Sequence, residues 1–212
     1  ILDLFRFDKL ISIKESQFEF YNLNFLYLPK NIEIMGKYVF LNNQIQLLDL
    51  SNYINLRIIK SGVFSYNQIK QLKLPKNIEI IGNCVFYNNK IEILDLSNCI
   101  NLKVINENAF EKNQIKQLKL PKNIEILDKY TFSVNQIEIL DLSNCIKLKE
   151  ILSDAFSDNP LKEIKILGNI EIEYDNYYKK DIWNIFARYY NNNKKKAGDY
   201  KYIDNKWQWY PL

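Results

Sequence analysis

The sequence contains no histidine, so it lacks the commonest general base and the commonest metal ligand of proteins. Its three cysteines, Cys84, Cys99 and Cys145, are an odd number and do not form a complete disulfide framework. Glycine and proline number only five each, which excludes collagen-like and low-complexity chains. No apolar run reaches the length of a transmembrane helix. We therefore expect no catalytic centre, no cofactor and no bound metal.

The composition is that of a folded protein with a substantial core. Of its 212 residues, 47% are hydrophobic and 14% aromatic, which is enough for one large domain, or for one domain and a cap. The 29 basic and 25 acidic residues give a net charge of +4, too mild to indicate nucleic acid as the partner. Because the sequence opens on Ile1, we expect it to be a processed or truncated piece, and removal of an export signal is one form that this processing can take.

A long internal repeat dominates the sequence. The segment QLKLPKNIEI occurs at 71–80 and again at 117–126, 46 positions apart. Short L-x-L segments recur at alternating steps of 24 and 22 residues, and their last residues are Leu4, Leu28, Leu50, Leu74, Leu96, Leu120, Leu142 and Ile166. Two kinds of coil alternate: an Asp coil, which reads LDL, and a Pro coil, in which LPKN follows in most copies. Such a period predicts a stack of coils with one strand each.

Two further residue types recur with the same period. Phenylalanines stand at positions 18, 40, 64, 86, 110, 132 and 156, and Asn-x-Ile/Leu segments begin at positions 43, 67, 89, 113, 135 and 159. Gly36, Gly82 and Asp128 share one position, where we expect a turn with positive φ. At the ninth position of each coil stand Asn31, Asn77, Asn123 and Asn169, or Cys99 and Cys145, which we expect to pair with backbone groups of the turns.

Aligned on the L-x-L residues, each coil reads I-x-x-L-x-L-x-x-N/C and so resembles the leucine-rich repeat. The rest of the coil, as in IEIIGNCVFYNN at 78–89, resembles the BspA-like class of bacterial leucine-rich repeats over about residues 1–170. The resemblance implies an α/β-type repeat solenoid with a parallel β-sheet of about eight strands on its concave face. We expect turns and short helical pieces on the convex side. Residues 1–168 would form the solenoid and 169–212 a C-terminal capping region.

The alternate strand residues predict an exposed face, since successive side chains of a strand point to opposite sides. Acidic and basic residues alternate from coil to coil along it, and we expect an Asp–Lys contact at every internal step from 49 to 165. Two interpretations are open. The alternating charges serve only to neutralise one another, or the face also binds a partner. Its candidate binding residues are Phe25, Tyr27, Leu47, Asp49, Gln71, Lys73, Ile93, Asp95, Gln117, Lys119, Ile139 and Asp141.

The repeat breaks off after Ile166. Apolar residues from Asp181 to Tyr190 have helical spacing, and Asp181 is a plausible N-cap. DYKYIDNKWQWY at 199–210 reads as a hairpin turning at Asp204 and Asn205. The helix and hairpin would cover the open end of the solenoid. A candidate aromatic site comprises Trp207, Trp209 and Tyr210, which would either bind sugars or a wall polymer or pack into the cap.

The resemblance implies a non-enzymatic protein-binding module, an adhesin-like bacterial protein that is secreted or on the cell surface and binds a host or matrix protein. One alternative is an intracellular, cytoplasmic interaction scaffold that uses the same face. Another is a carbohydrate- or cell-wall-binding module that uses the C-terminal aromatic residues. The first strand has no cap before it, and we therefore expect either further preceding chain or end-to-end self-association through this N-terminal edge.

Overall fold

The computed structural model describes residues 1–175 and 180–211, and each coil in it contributes two short strands. The first strands carry the L-x-L residues: β1 (Leu2–Asp3), β3 (Leu26–Tyr27), β5 (Leu47–Asp49), β7 (Gln71–Lys73), β9 (Ile93–Asp95), β11 (Gln117–Lys119), β13 (Ile139–Asp141) and β15 (Glu163–Ile166). The second strands are β2 (Ser12–Ile13), β4 (Ile34–Met35), β6 (Ile58–Ile59), β8 (Ile80–Ile81), β10 (Val104–Ile105), β12 (Ile126–Leu127), β14 (Glu150–Ile151) and β16 (Glu171–Ile172). The leucine-rich solenoid and its eight first strands are thus confirmed.

The second strands replace the short helical pieces expected on the far side of the coil, so that part of the prediction is wrong. Each segment is two residues long and contains at least one β-branched residue, such as Ile58 outside and Ile59 inside, and this pattern suits a half-buried strand better than a helix. Strands β6, β8, β10, β12, β14 and β16 form one parallel sheet, while β2 and β4 form a separate pair.

The first strands pair two by two. β1 pairs with β3, β5 with β7, β9 with β11 and β13 with β15, and each pair belongs to a different sheet. In every pair an Asp coil is followed by a Pro coil, with registers such as Asp49 opposite Lys73. The 46-residue period therefore corresponds to a physical unit of two coils whose first strands are hydrogen-bonded to each other.

A column of stacked phenylalanines fills the core. Phe40 and Phe64 stack with their ring centroids 5.5 Å apart, and Phe86 and Phe110 with 5.2 Å. The stack runs from Phe18 to Phe156 without a break and continues onto Trp183 of the C-terminal helix at 5.0 Å. Offset stacked rings add to the free energy gained from burying their area, so this column ties each coil to the next.

A buried column of asparagines runs beside the phenylalanines. Asn67 Oδ1 accepts from the Ile45 backbone N–H at 3.1 Å, and Asn67 Nδ2 donates to the carbonyls of Phe40 and Phe64 at 2.9 and 3.2 Å. The same arrangement recurs, with small variations, at Asn43, Asn89, Asn113, Asn135 and Asn159. These side chains satisfy backbone groups that would otherwise be buried without a partner.

Several of the position-nine residues pair with backbone groups, as expected. Asn31, Asn77 and Asn123 each donate to a carbonyl of the preceding coil, at 2.9–3.3 Å, but none of the three is buried. Cys99 is buried and its Sγ lies 3.9 Å from the Pro75 carbonyl. Asn169 instead adopts a positive φ of 63°, and its backbone N–H donates to Lys195.

The expected positive φ lies two residues beyond the predicted position. It occurs at Tyr38, Gly62, Cys84 and their counterparts in later coils, and not at Gly36 or Gly82. Gly82 is required for another reason, because a Cβ there would lie 2.9 Å from the backbone nitrogen of Ser61 in the adjacent coil. The glycines therefore permit close contact between coils.

A helix and a hairpin close the C-terminal end, as the sequence predicts. Helix α1 (Ile182–Asn192) is capped by Asp181, whose side chain accepts from the Asn184 N–H. Strands β17 (Gly198–Ile203) and β18 (Lys206–Tyr210) form the hairpin, and β17 pairs antiparallel with β15. This pairing covers the edge that the last coil would otherwise expose. Residues 176–179 and 212 of the predicted capping region lie outside the described residues.

Candidate protein-binding face

The strand face is formed by the outward-pointing residues of the first strands and of the residues beside them. All twelve candidate residues on it are exposed, including the two N-terminal aromatics Phe25 and Tyr27. Leu47, Ile93 and Ile139 stand out because they are aliphatic yet 56–58% exposed. In register with them on the paired strands lie Gln71, Gln117 and Glu163. Apolar and polar rungs thus alternate along this face.

Ion pairs on the strand face occur only within the two-coil units. Lys73 Nζ lies 3.2 Å from Asp49 Oδ2, and Lys119 Nζ lies 3.7 Å from Asp95 Oδ2. Within residues 1–175 and 180–211, no ion pair joins Lys73 to Asp95 or Lys119 to Asp141. The expected Asp–Lys contact at every internal step is therefore wrong. Contacts form where strands are hydrogen-bonded in register, and neighbouring units are not joined in this way.

The fourth unit, formed by β13 and β15, departs from the pattern. Lys165 stands in register with Asp141, but its Nζ pairs with Glu163 at 3.3 Å. The side chain of Glu163 lies two residues away on the same strand face and outcompetes the carboxylate across the strands. Parallel to these contacts, Lys116 pairs with Glu92 at 3.3 Å and Lys162 with Glu138 at 2.8 Å, again within units.

Each face aspartate also holds the turn that follows its strand. Asp49 Oδ1 accepts from the Ser51 backbone N–H at 3.0 Å and from its hydroxyl at 2.5 Å. Ser97 binds Asp95 in the same way. The pKa of both carboxyl groups is lowered, most strongly by the serine hydroxyl and less strongly by the serine N–H and the lysine. These aspartates stay ionised at neutral pH and are unsuited to act as general acids.

A second charge column follows the second strands and was not anticipated. Arg57 pairs with Glu79, and Glu125 lies between Lys103 at 3.3 Å and Lys149 at 2.7 Å. The two lysines hold the pKa of the Glu125 carboxyl below its usual value. Because Glu125–Lys149 joins one two-coil unit to the next, this column links units that the strand face leaves unlinked. The sequence signal was available, since charges alternate at these positions as well.

The C-terminal aromatic residues do not share one environment. Trp207 is buried, with its ring centroid 5.2 Å from that of Phe186. Trp209 and Tyr210 are partly exposed, and Trp209 Nε1 donates to the Ala197 carbonyl at 3.0 Å. Only these two residues of the predicted aromatic site are accessible to a ligand.

The cysteine and acidic side chains show no sign of a catalytic or metal-binding role in the described part of the chain. All three cysteines are free, and burial raises the pKa of Cys99 to about 11 and of Cys145 to about 12, so neither forms a thiolate readily. In the described part of the chain, no three acidic or cysteine side chains are placed to hold a metal ion. None of the helical segments in residues 1–175 and 180–211 has the length and apolarity that a bilayer crossing requires.

The family model for the BspA type leucine rich repeat region matches residues 3–101 and 57–182 in six copies. The chain belongs to this family. BspA-type leucine-rich repeats are generally non-enzymatic modules suited to protein interaction, which agrees with a face that offers exposed apolar and charged side chains.

Among solved structures, a leucine-rich repeat protein from Bacteroides ovatus ATCC 8483 is similar to this chain at 15% sequence identity, with a TM-score of 0.43. The match covers 80% of this chain and 56% of that protein, so the chain corresponds to little more than half of its length. No curated protein sequence matches the chain.

Proposed function

We propose that this BspA-type repeat protein is an adhesin-like surface or secreted protein that binds a host or matrix protein through its strand face. The observation that carries the proposal is the exposure of Leu47, Ile93 and Ile139 on a face that also carries ion pairs, among them Asp49–Lys73 and Asp95–Lys119. Exposed aliphatic side chains spaced along one face, with charges around them, provide the apolar centres and polar rim of a protein interface. Surface association is typical of this bacterial family, which supports an extracellular over a cytoplasmic partner.

The chain itself supplies the substitution that tests this face. Glutamine occupies the same strand position in the Pro coils, at Gln71 and Gln117, so glutamine is compatible with the fold there. The test variant replaces all three aliphatic residues of the strand face and carries L47Q, I93Q and I139Q. The matched control carries I54Q, I100Q and I146Q, which change three loop isoleucines that are similarly exposed, by 53–62%.

Binding of both variants is measured on immobilised extracellular matrix and on immobilised cytoplasmic protein. We expect the native chain to bind matrix more tightly, the strand-face variant to lose about tenfold or more in affinity, and the loop variant to match the native chain. Tighter binding to cytoplasmic protein, lost in the same variant, would favour an intracellular scaffold. Equal binding by both triple variants would contradict a role for the strand face.

We also propose that the N-terminal edge supports self-association. Among the described residues β1 pairs with β3 alone, and Ile1, Phe5 and Phe7 around it are exposed. An unpaired strand edge beside apolar side chains favours pairing with another chain. Sedimentation velocity over a range of concentrations should show a reversible dimer that Phe7→Lys abolishes, whereas a concentration-independent monomer would refute this proposal.

A further inference from the structure

A polar groove lies across the first four coils, at the end of the coil that precedes the strand face. Its volume is about 540 Å³. We call it the amide groove, after its lining residues: Phe20, Asn22, Asn42, Asn43, Gln44, Gln46, Tyr66, Asn67, Gln68, Asn88, Asn89 and Lys90. Nine of these twelve residues carry a primary amide and Lys90 is the one that carries a charge, so the groove differs sharply from the ionic strand face.

Aromatic and amide side chains alternate along one wall of the groove. Phe20, Asn42, Tyr66 and Asn88 occupy equivalent positions, since each donates its backbone N–H to the equivalent carbonyl of the next coil, at 2.8–3.0 Å. Two rings therefore lie two coils apart, roughly 10 Å by strand spacing, with an amide after each.

The two aromatic residues are placed at a conformational cost. All four wall residues have left-handed backbones, with φ between 53° and 61°. Asparagine tolerates this geometry, whereas it is unfavourable for a bulky aromatic residue. The same conformation recurs at Lys112, Val134 and Asp158 beyond the groove, so it belongs to the turn of each coil. The groove is distinguished by the two rings that it carries at this position, since Phe20 is 60% exposed and Tyr66, which packs edge-on against Tyr87 at 5.2 Å, is 46% exposed.

The amides of the groove fall into two sets. Asn43, Asn67 and Asn89 form the floor, and their side chains are fully used in the buried asparagine column. On the rim, Gln44 Nε2 lies 3.4 Å from Asn22 Oδ1, the one side-chain hydrogen bond that the structure gives the rim amides within the described residues. The remaining rim amides are Asn42, Gln46, Gln68 and Asn88, and each offers two donors and an acceptor to a ligand.

We propose that the amide groove binds a neutral oligosaccharide. A sugar presents hydroxyl groups that both donate and accept, which matches the rim amides, and C–H faces that pack on the electron-rich faces of Phe20 and Tyr66. The lack of a carboxylate among the lining residues and the single lysine fit a ligand without charge of its own. This site adjoins the strand face at Gln46, but it does not depend on the function proposed for that face.

An extended peptide fits this groove less well. A peptide that adds as a strand needs free backbone donors and acceptors along its track. The backbone N–H groups of the wall residues already donate to the next coil. A ligand must therefore be recognised through side-chain amides and rings, and hydroxyl-rich sugars supply those partners at every unit.

The test is a titration of the intact chain followed by the side-chain amide signals in ¹⁵N–¹H NMR spectra. The probes are cellohexaose and mannohexaose as polysaccharide fragments, a branched high-mannose glycan as the glycoprotein source, an oligo-uronate as the charged comparison and a Gly-Ser peptide. We expect at least one neutral saccharide to shift the signals of Asn42, Gln44 and Asn88, and the oligo-uronate and the peptide to shift none. Which neutral probe binds tells the polysaccharide and glycoprotein sources apart.

Tyr66→Asn is the decisive variant, because Asn42 and Asn88 show that asparagine fits this backbone position. Loss of one stacked ring should weaken saccharide binding about tenfold. The matched control is Val134→Asn, at the equivalent position beyond the groove, which should bind as the native chain does. The proposal is overturned if no neutral saccharide binds, if both variants bind equally well, or if only the peptide shifts the amide signals.

Discussion

Lys73 Nζ lies 3.2 Å from Asp49 Oδ2, and the other oxygen of the same carboxylate holds the turn at Ser51. One aspartate therefore fixes its own coil and contacts the next. The following aspartate, Asp95, turns to Lys119 in the same manner. The unit that repeats, structurally and electrostatically, is thus a pair of coils.

This directional pairing predicts unequal couplings around Lys73. A double-mutant cycle with Asp49→Asn and Lys73→Gln should give a coupling free energy of about 0.2–1 kcal/mol, as for exposed ion pairs. The matched cycle with Asp95→Asn and Lys73→Gln should give a value near zero, because these side chains form no ion pair. Urea unfolding at low salt measures both coupling free energies. Equal values would show that Asp–Lys contacts continue from one two-coil unit to the next.

The buried asparagine column predicts that replacing one of its asparagines by alanine strongly lowers the free energy of unfolding. Asn89→Ala removes the partner of the Ile69 N–H and of the carbonyls of Phe64 and Phe86. Leaving these groups buried without partners should lower the free energy of unfolding by about 3 kcal/mol or more. Asn101→Ala, on an exposed turn, is the control and should change it by less than about 0.5 kcal/mol. Similar unfolding midpoints for the two variants would argue against the column.

Periodicity alone predicted much of this fold. The steps of 22 and 24 residues placed the L-x-L leucines and the phenylalanines in the core, and the alternation within each strand placed all twelve face residues in solvent. These features follow from which side of a strand a residue occupies, and sequence spacing encodes this directly.

Other features depend on contacts that spacing does not encode. Hydrogen bonds join the first strands two by two, and residue types alone do not show which neighbours pair, so the pairing of Lys73 with Asp49 and not with Asp95 could not be read from the sequence. The six Asn-x-Ile segments were visible, but their burial follows from the path of the coil. Trp207 and Trp209 lie on one strand of the hairpin, and their different burial depends on how α1 packs against it.

The continuation of the phenylalanine stack into the cap predicts that Trp183 fastens the helix to the solenoid. Its ring is fully buried and lies 5.0 Å from Phe156 and 5.4 Å from Phe186. Trp183→Ala should cost about 3–5 kcal/mol and expose the cap to proteases before the solenoid unfolds. Trp209→Ala, at a partly exposed ring of the hairpin, should cost under about 1 kcal/mol and leave the cap resistant. Limited proteolysis with mass spectrometry distinguishes these outcomes, and simultaneous cleavage of cap and solenoid would refute a separable cap.

Asp154, at the joint between solenoid and cap, predicts an unusual dependence of stability on pH. Its side chain is buried, Oδ1 accepts from Asn184 Nδ2 at 2.7 Å, and Oδ2 has no partner within the described residues. Burial, with the nearby carboxylates of Asp175, Asp181 and Asp158, raises its pKa above the ordinary value of 3.8. The folded state therefore retains this proton after the unfolded state has lost it.

The contribution of Asp154 is thus fully present below its ordinary pKa and is lost as pH rises toward the raised value in the folded state. Asp154→Asn keeps the shape and the acceptor for Asn184 but cannot ionise. Its free energy of unfolding, relative to the native chain, should rise as pH increases from about 4 to about 7. Asp8→Asn, at an exposed residue of the first coil, is the control and should lack this trend. Urea unfolding across this range measures the difference, and a difference independent of pH would show that Asp154 ionises as easily in the folded chain as in the unfolded one.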